Sequence, residues 1–157
     1  MDNTKECPVR KCIMGCGGRF ALATLAAFIA LFVFDYVFHR VLMMPYYLET
    51  ASLWRPADEM AQYMPWMLFK QIAVVAVANW IFLQNYEGKG IREGVRFGLA
   101  IGLLMGLIYF GSYHYLPIPL KLALLWLAGG VLEGIVIGIT LALVWCKKTK
   151  TGDVAQG

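Results

Sequence analysis

Apolar residues in this chain neither alternate nor keep to one side of a helix; they fill whole stretches of about twenty residues with short polar breaks between them. Four such stretches stand out: Phe20 to Val41, Met64 to Leu83, Val95 to Tyr115 and Leu120 to Cys146. A hydrocarbon core of about 30 Å needs about 20 residues of helix to cross it, so each stretch is predicted to be a transmembrane helix. A backbone in lipid must satisfy its own hydrogen bonds, and the strict alternation of barrel strands is missing. The expected fold is therefore all-α, a polytopic four-helix transmembrane bundle over residues 20–146. It is preceded by an arm at 1–19 that holds cysteine, lysine and arginine, and followed by a short tail at 147–157.

Composition agrees, since 60% hydrophobic and 15% charged residues lie outside the balance of a soluble globule. The first stretch follows Lys5, Arg10, Lys11 and Arg19, as a secretory leader would. After it comes "VFDYVFHR", bulky and charged where cleavage needs small side chains, so it is expected to stay attached. "IMGC" resembles a lipoprotein box but precedes an apolar core instead of following one.

Basic residues near span ends favour the cytoplasmic side. Of the fourteen, Lys5, Arg10, Lys11, Arg19, Lys89, Arg92, Arg96, Lys147, Lys148 and Lys150 fall on one side of the four-span topology. Arg40, Arg55 and Lys121 fall on the other, and Lys70 lies within the second span. Both termini are thus expected in the cytoplasm. The net charge of +4 reads as a topology signal at lipid headgroups, and no nucleic-acid partner is expected.

The longest connection, "LMMPYYLETASLWRPADEMAQYMP", carries rings and methionines suited to the headgroup zone. A short interfacial helix is expected near Glu49 to Trp54, broken at Arg55-Pro56, with Asp58 and Glu59 leading into span two. "YLPIP" is so short that spans three and four must form an antiparallel hairpin. Glycine recurs every fourth residue on both arms of that hairpin. Gly98, Gly102 and Gly106 lie on one, Gly130, Gly134 and Gly138 on the other, while Gly90 and Gly94 are read as ridge, turn or cap residues. Small-xxx-small ridges mark touching faces in lipid, either within one chain or between copies.

Polar groups at membrane depth are the candidate chemistry. Glu133 lies about 13 residues into the last stretch, roughly 20 Å of rise, near the midplane. A charge left in hydrocarbon costs at least a few kcal/mol, so the carboxyl is either neutral or paired with a donor, for which Tyr109 and Gln71 are the first choices. It reads equally as a proton or cation relay and as one interhelical hydrogen bond. Asp35 and Lys70 reach similar depth on spans one and two and are expected to pair. His39, His114 and the acids Asp35, Glu49, Asp58 and Glu59 offer a loose nitrogen and oxygen metal set, against the plainer reading of interfacial histidines facing water. Cys7, Cys12, Cys16 and Cys146 fall on one side and offer a thiol metal site, although no C-x2-C is present. No nucleophile elbow, zinc-protease motif or phosphate loop occurs, so neither an ordinary enzyme nor a bound cofactor is expected.

The runs "YYLETASLWRPADEM", "NYEGKGIREGVRFGLAIGLLMG" and "YLPIPLKLALLWLAGGVLEGIVIG" resemble small four-span bacterial inner-membrane proteins of unassigned function over residues 30–145. That resemblance implies a polytopic bundle in a bacterial inner membrane and carries over no catalytic residue. The expected role is binding or passage of a small solute or ion, proton-coupled, through Glu133, Asp35 and Lys70. The bundle would work as a homo-oligomer or with a larger membrane partner. Two rivals are an accessory subunit that docks through its glycine faces and a cytoplasmic-face thiol metal binder.

Overall fold

The computed structural model describes residues 17–145, which contain six α-helices and no strand. Helix α1, Gly17–Val37, runs into a wide π-turn, Phe38–Leu42. Helices α2, Met44–Glu49, and α3, Ala57–Gln62, lie in the long connection with a 3-10 turn, Ala51–Leu53, between them. Helix α4 is Met64–Gln84, α5 is Ile91–Gly111 with a 3-10 turn Ser112–His114 after it, and α6 is Leu120–Trp145. Four units, Gly17–Leu42, Met64–Gln84, Ile91–His114 and Leu120–Trp145, are long and apolar enough to cross a membrane. The protein is a multi-pass, all-helical membrane bundle.

Helix α6 is its axis. It packs most extensively against α5, then against α1, and touches α4, which also leans on α1. Gly98 faces Gly134, Gly102 faces Gly130 and Val131, and Gly106 faces Leu127. Gly94 extends this row by facing Gly138, so it is a ridge residue and not a turn. An added Cβ at any of these positions on α5 or at Gly130, Gly134 or Gly138 would come within 3 Å of partner backbone. Backbone has nowhere to retreat, so no larger side chain fits while the helices stay at this distance. The glycine faces therefore meet inside the chain, and docking of another protein on them would require the hairpin to part.

Element ends follow local chemistry. Pro45 and Pro65 open α2 and α4, where a missing N–H costs nothing. The short helix expected near Glu49 to Trp54 lies earlier, at Met44–Glu49, because Pro45 starts it; the expected range holds only the 3-10 turn Ala51–Leu53, and the chain breaks at Arg55-Pro56. Between α4 and α5 the backbone turns through Gly88 at φ 76° and Gly90 at φ 68°, values that suit glycine. Glu93 fastens that turn, accepting the Glu87 N–H at 2.5 Å and the Lys89 N–H at 2.8 Å. This lets α5 begin at Ile91, four residues before the expected start.

The far end of α6 is fastened as well. Arg19 donates to the Val144 carbonyl at 2.8 Å and to that of Trp145 at 3.2 Å, and Tyr86 donates to Trp145 O at 2.9 Å. A cation on the last carbonyls of a helix meets both their lone pairs and the dipole. Asn79, wholly buried, donates to Phe20 O and Thr24 Oγ1 and accepts from the Trp145 indole at 2.9 Å, which ties α4, α1 and α6 together.

Two substitutions separate the close seam from mere helix propensity. Gly134→Ala is expected to lower the unfolding free energy in detergent by about 1–3 kcal/mol through overpacking. Gly111→Ala, with nothing within 4 Å of its Cβ, should leave the thermal midpoint unchanged or raised.

Candidate functional site

At the end of the bundle opposite Arg19, five helices and the wide turn line a cavity of about 250 Å³. Asp35, Phe38 and His39 reach it from α1 and its π-turn, Tyr47 from α2, Lys70 from α4, Tyr109 and Ser112 from the end of α5, and Trp126 and Glu133 from α6. Trp126 and Glu133 are seven apart on α6 and so share a face. In the π-turn the Met43 N–H bonds to Phe38 O at 2.9 Å, a ring one residue wider than that of an α-helix. Such turns are frequent at functional sites, and this one carries His39.

Three groups converge. One ligand atom each from Asp35, His39 and Glu133 lies within 4.8 Å of the others. Glu133 is only 5% exposed, and the Tyr109 hydroxyl donates to its Oε2 at 3.2 Å. The Gln71 amide donates to Asp35 Oδ2. Among the described residues, Asp35 Oδ1 and Gln71 Oε1 are buried with no hydrogen-bond partner. Two carboxyls facing each other, with an acceptor left over, call for a proton or a cation between them.

An aromatic array closes the site on the connection side. His39 Nδ1 lies 2.6 Å from the Tyr47 hydroxyl, and the Trp126 indole N–H donates to the same oxygen at 3.1 Å. The two rings of His39 and Tyr47 stack with centroids 6.0 Å apart. Burial pushes the Tyr47 phenol above its ordinary value, so it keeps its proton at neutral pH. Trp54 packs on both Tyr47 and Trp126 and donates to Thr50 Oγ1 at 3.0 Å, while Thr50 donates to Tyr46 O. The connection is thereby folded back over the cavity as a ring-lined cover.

Several expected pairings are redistributed. Lys70 lines the cavity, but among the described residues no ion pair within 4.0 Å joins it to Asp35. Gln71, the next residue and 5% exposed, reaches Asp35 in its place. Tyr109 is thus the donor to Glu133, and Gln71 serves the other acid. His114 stays outside: it is exposed, with Nδ1 3.0 Å from the carbonyl of Gly111, and it does not join His39. Glu49, Asp58 and Glu59 are exposed and away from the cluster. Cys7, Cys12, Cys16 and Cys146 lie outside the described residues. Tyr47 escaped the sequence reading because nothing in a loop sequence says where it folds back, and Ser112 because it lies at the end of an apolar run with no pattern to single it out. Trp126, on the same helical face as Glu133, was the available signal.

A second cavity of about 280 Å³ opens at the other end, lined by Phe82, Asn85, Glu87, Glu93, Arg96, Phe97 and Ala100. Glu87 there is bonded by Lys89 and by Arg96 at 2.6 Å, and these cations hold its carboxyl below the usual range. Between the two cavities lies an apolar core that includes Val75, Ala78, Phe82, Ile137 and Leu141.

Comparison with family models, curated proteins and solved structures returned no match. The class, a multi-pass helical membrane protein with an acid and imidazole cavity at one end, rests on sequence and geometry alone.

The buried Asn79 junction has a direct check. Asn79→Leu strands the Trp145 N–H and is expected to cost about 1–3 kcal/mol in detergent unfolding. Asn85→Leu, whose amide bonds in the open to Ile81 O, should change it little.

Proposed function

We propose that this bundle binds a small cation, a proton included, and carries it across the membrane, with Glu133 and Asp35 as the paired acids. The observation behind this reading is their mutual approach inside a cavity that solvent can enter. Counting charges, two carboxylates and Lys70 leave one negative charge unmet, which a bound proton or cation offsets. In a low-dielectric bundle such a charge is too costly to leave alone.

The two cavities at opposite ends favour passage over static binding. A cation held by Glu133 is separated from the Glu87 and Glu93 cavity by Val75, Ile137, Leu141 and the Phe82–Phe97 pair, whose centroids are 5.2 Å apart. Transfer requires that this apolar barrier open while the outer site closes. On this reading the ends carrying ten of the fourteen basic residues face the cytoplasm. A bacterial inner membrane would fit the four-span family that the chain resembles. A role as accessory subunit through the glycine faces is less favoured, because those faces already cover each other.

In proteoliposomes with an imposed pH or cation gradient, wild-type protein should dissipate the gradient. Glu133→Gln, which keeps shape and hydrogen bonding but not charge, should slow dissipation at least tenfold. Equal rates for wild type and Glu133→Gln, or for wild type and empty vesicles, would remove the transport reading.

A further inference from the structure

We propose that Asp35, His39 and Glu133 form a binding site for one divalent transition-metal ion of the manganese-to-zinc series. This deepens the cation reading, resting on the same two acids, but it does not depend on transport. The donor set makes the selection. Sodium, potassium, calcium and magnesium are held by oxygen, whereas a carboxylate pair joined by one imidazole suits manganese, iron, cobalt and zinc.

Each of the three side chains is held by a neighbour through one of its polar atoms. Tyr109 holds Glu133 through Oε2, and Gln71 holds Asp35 through Oδ2, leaving Asp35 Oδ1 buried without a partner among the described residues. Tyr47 engages His39 at Nδ1. Its oxygen also takes the Trp126 N–H, and with two lone pairs it accepts a proton bond from Nδ1–H as well. In that tautomer Nε2 carries a free lone pair, the arrangement by which outer-shell partners orient metal-bound histidines. The π-turn places the ring on the same side as Asp35, so one short segment supplies two donors and α6 supplies the third.

Size and access are compatible. Donors at about 2.1 Å from a shared ion lie at most about 4.2 Å apart, so atoms now within 4.8 Å close on it by modest side-chain rotation. A cavity of about 250 Å³ leaves room for the waters that complete the coordination shell. Lys70 lines the same cavity without an ion pair within 4.0 Å to either acid, so its ammonium is a tethered competitor for the site. Removing that charge should therefore tighten the hold of the site on a metal ion.

The test uses full-length chain in detergent with Cys7, Cys12, Cys16 and Cys146 all replaced by serine, so that thiols do not contribute. Co2+ is titrated at neutral pH and followed by its visible absorption bands, with bound metal counted after desalting and Zn2+ added as competitor. One Co2+ per chain is expected, displaced by Zn2+. Glu133→Gln and His39→Gln should each weaken binding at least tenfold, and Lys70→Met should tighten it severalfold. Asp35→Asn serves as a further ligand variant should either of these lose its helical circular dichroism. No Co2+ bound to the cysteine-free chain overturns the inference, and so does binding that survives the ligand substitutions. Metal binding without flux would leave this site standing and remove the transport reading. Flux that depends on Glu133 without metal binding would do the reverse.

Discussion

The distance between α5 and α6 governs the rest of this bundle. In lipid there is no hydrophobic force to drive two apolar helices together, so contact depends on packing. Glycines at four-residue intervals let the two backbones touch, and a Cβ at any of seven positions along the seam would collide with partner backbone. Glu133 immediately precedes Gly134 on α6. Fixing the glycine ridge against α5 therefore fixes the direction of the neighbouring residue, about 100° around the helix, toward the space shared with α1. The position of the carboxyl is inherited from the seam.

Burial then explains the company that Glu133 keeps. A carboxyl at 5% exposure needs a donor, and Tyr109, on the helix held closest to α6, supplies one. Asp35 needs one too and takes it from Gln71. Neither donor satisfies both acids at once, and this remaining demand distinguishes the cavity from an ordinary polar contact in a helical bundle. Tyr47, Trp54 and Trp126 pack together beside the mouth, where the Tyr47 hydroxyl meets both the imidazole of His39 and the indole of Trp126.

Much of the architecture was legible because one physical quantity, the length of apolar runs, dominates it. Four spans, the break at Arg55-Pro56 and the tight α5/α6 hairpin all follow from chain-local rules, and their ends differ from expectation by only a few residues. The site was legible in part. Glu133, Asp35 and Tyr109 could be singled out since polar groups in an apolar run need a reason. Which donor meets which acid could not be read, because Lys70 and Gln71 are adjacent and a rotation of about 100° per residue decides between them. Glu93 was missed for a similar reason. It lies next to charged loop residues, and only the folded turn reveals that it is 4% exposed and holds two backbone N–H groups. Tyr47 belongs to a connection whose return path over the cavity no local pattern encodes.

The two ends of the bundle are secured unequally. Near Trp145, Arg19, Asn79 and Tyr86 stitch α1, α4 and α6 into one knot of side-chain and carbonyl bonds. Around Glu133 the helices meet across open volume under a cover of stacked rings. A lever clamped at one tip can swing only at the other. Breathing of α4 and α1 should accordingly be greatest beside the acids, where the motion varies the gap between carboxyls, and least at the opposite membrane face.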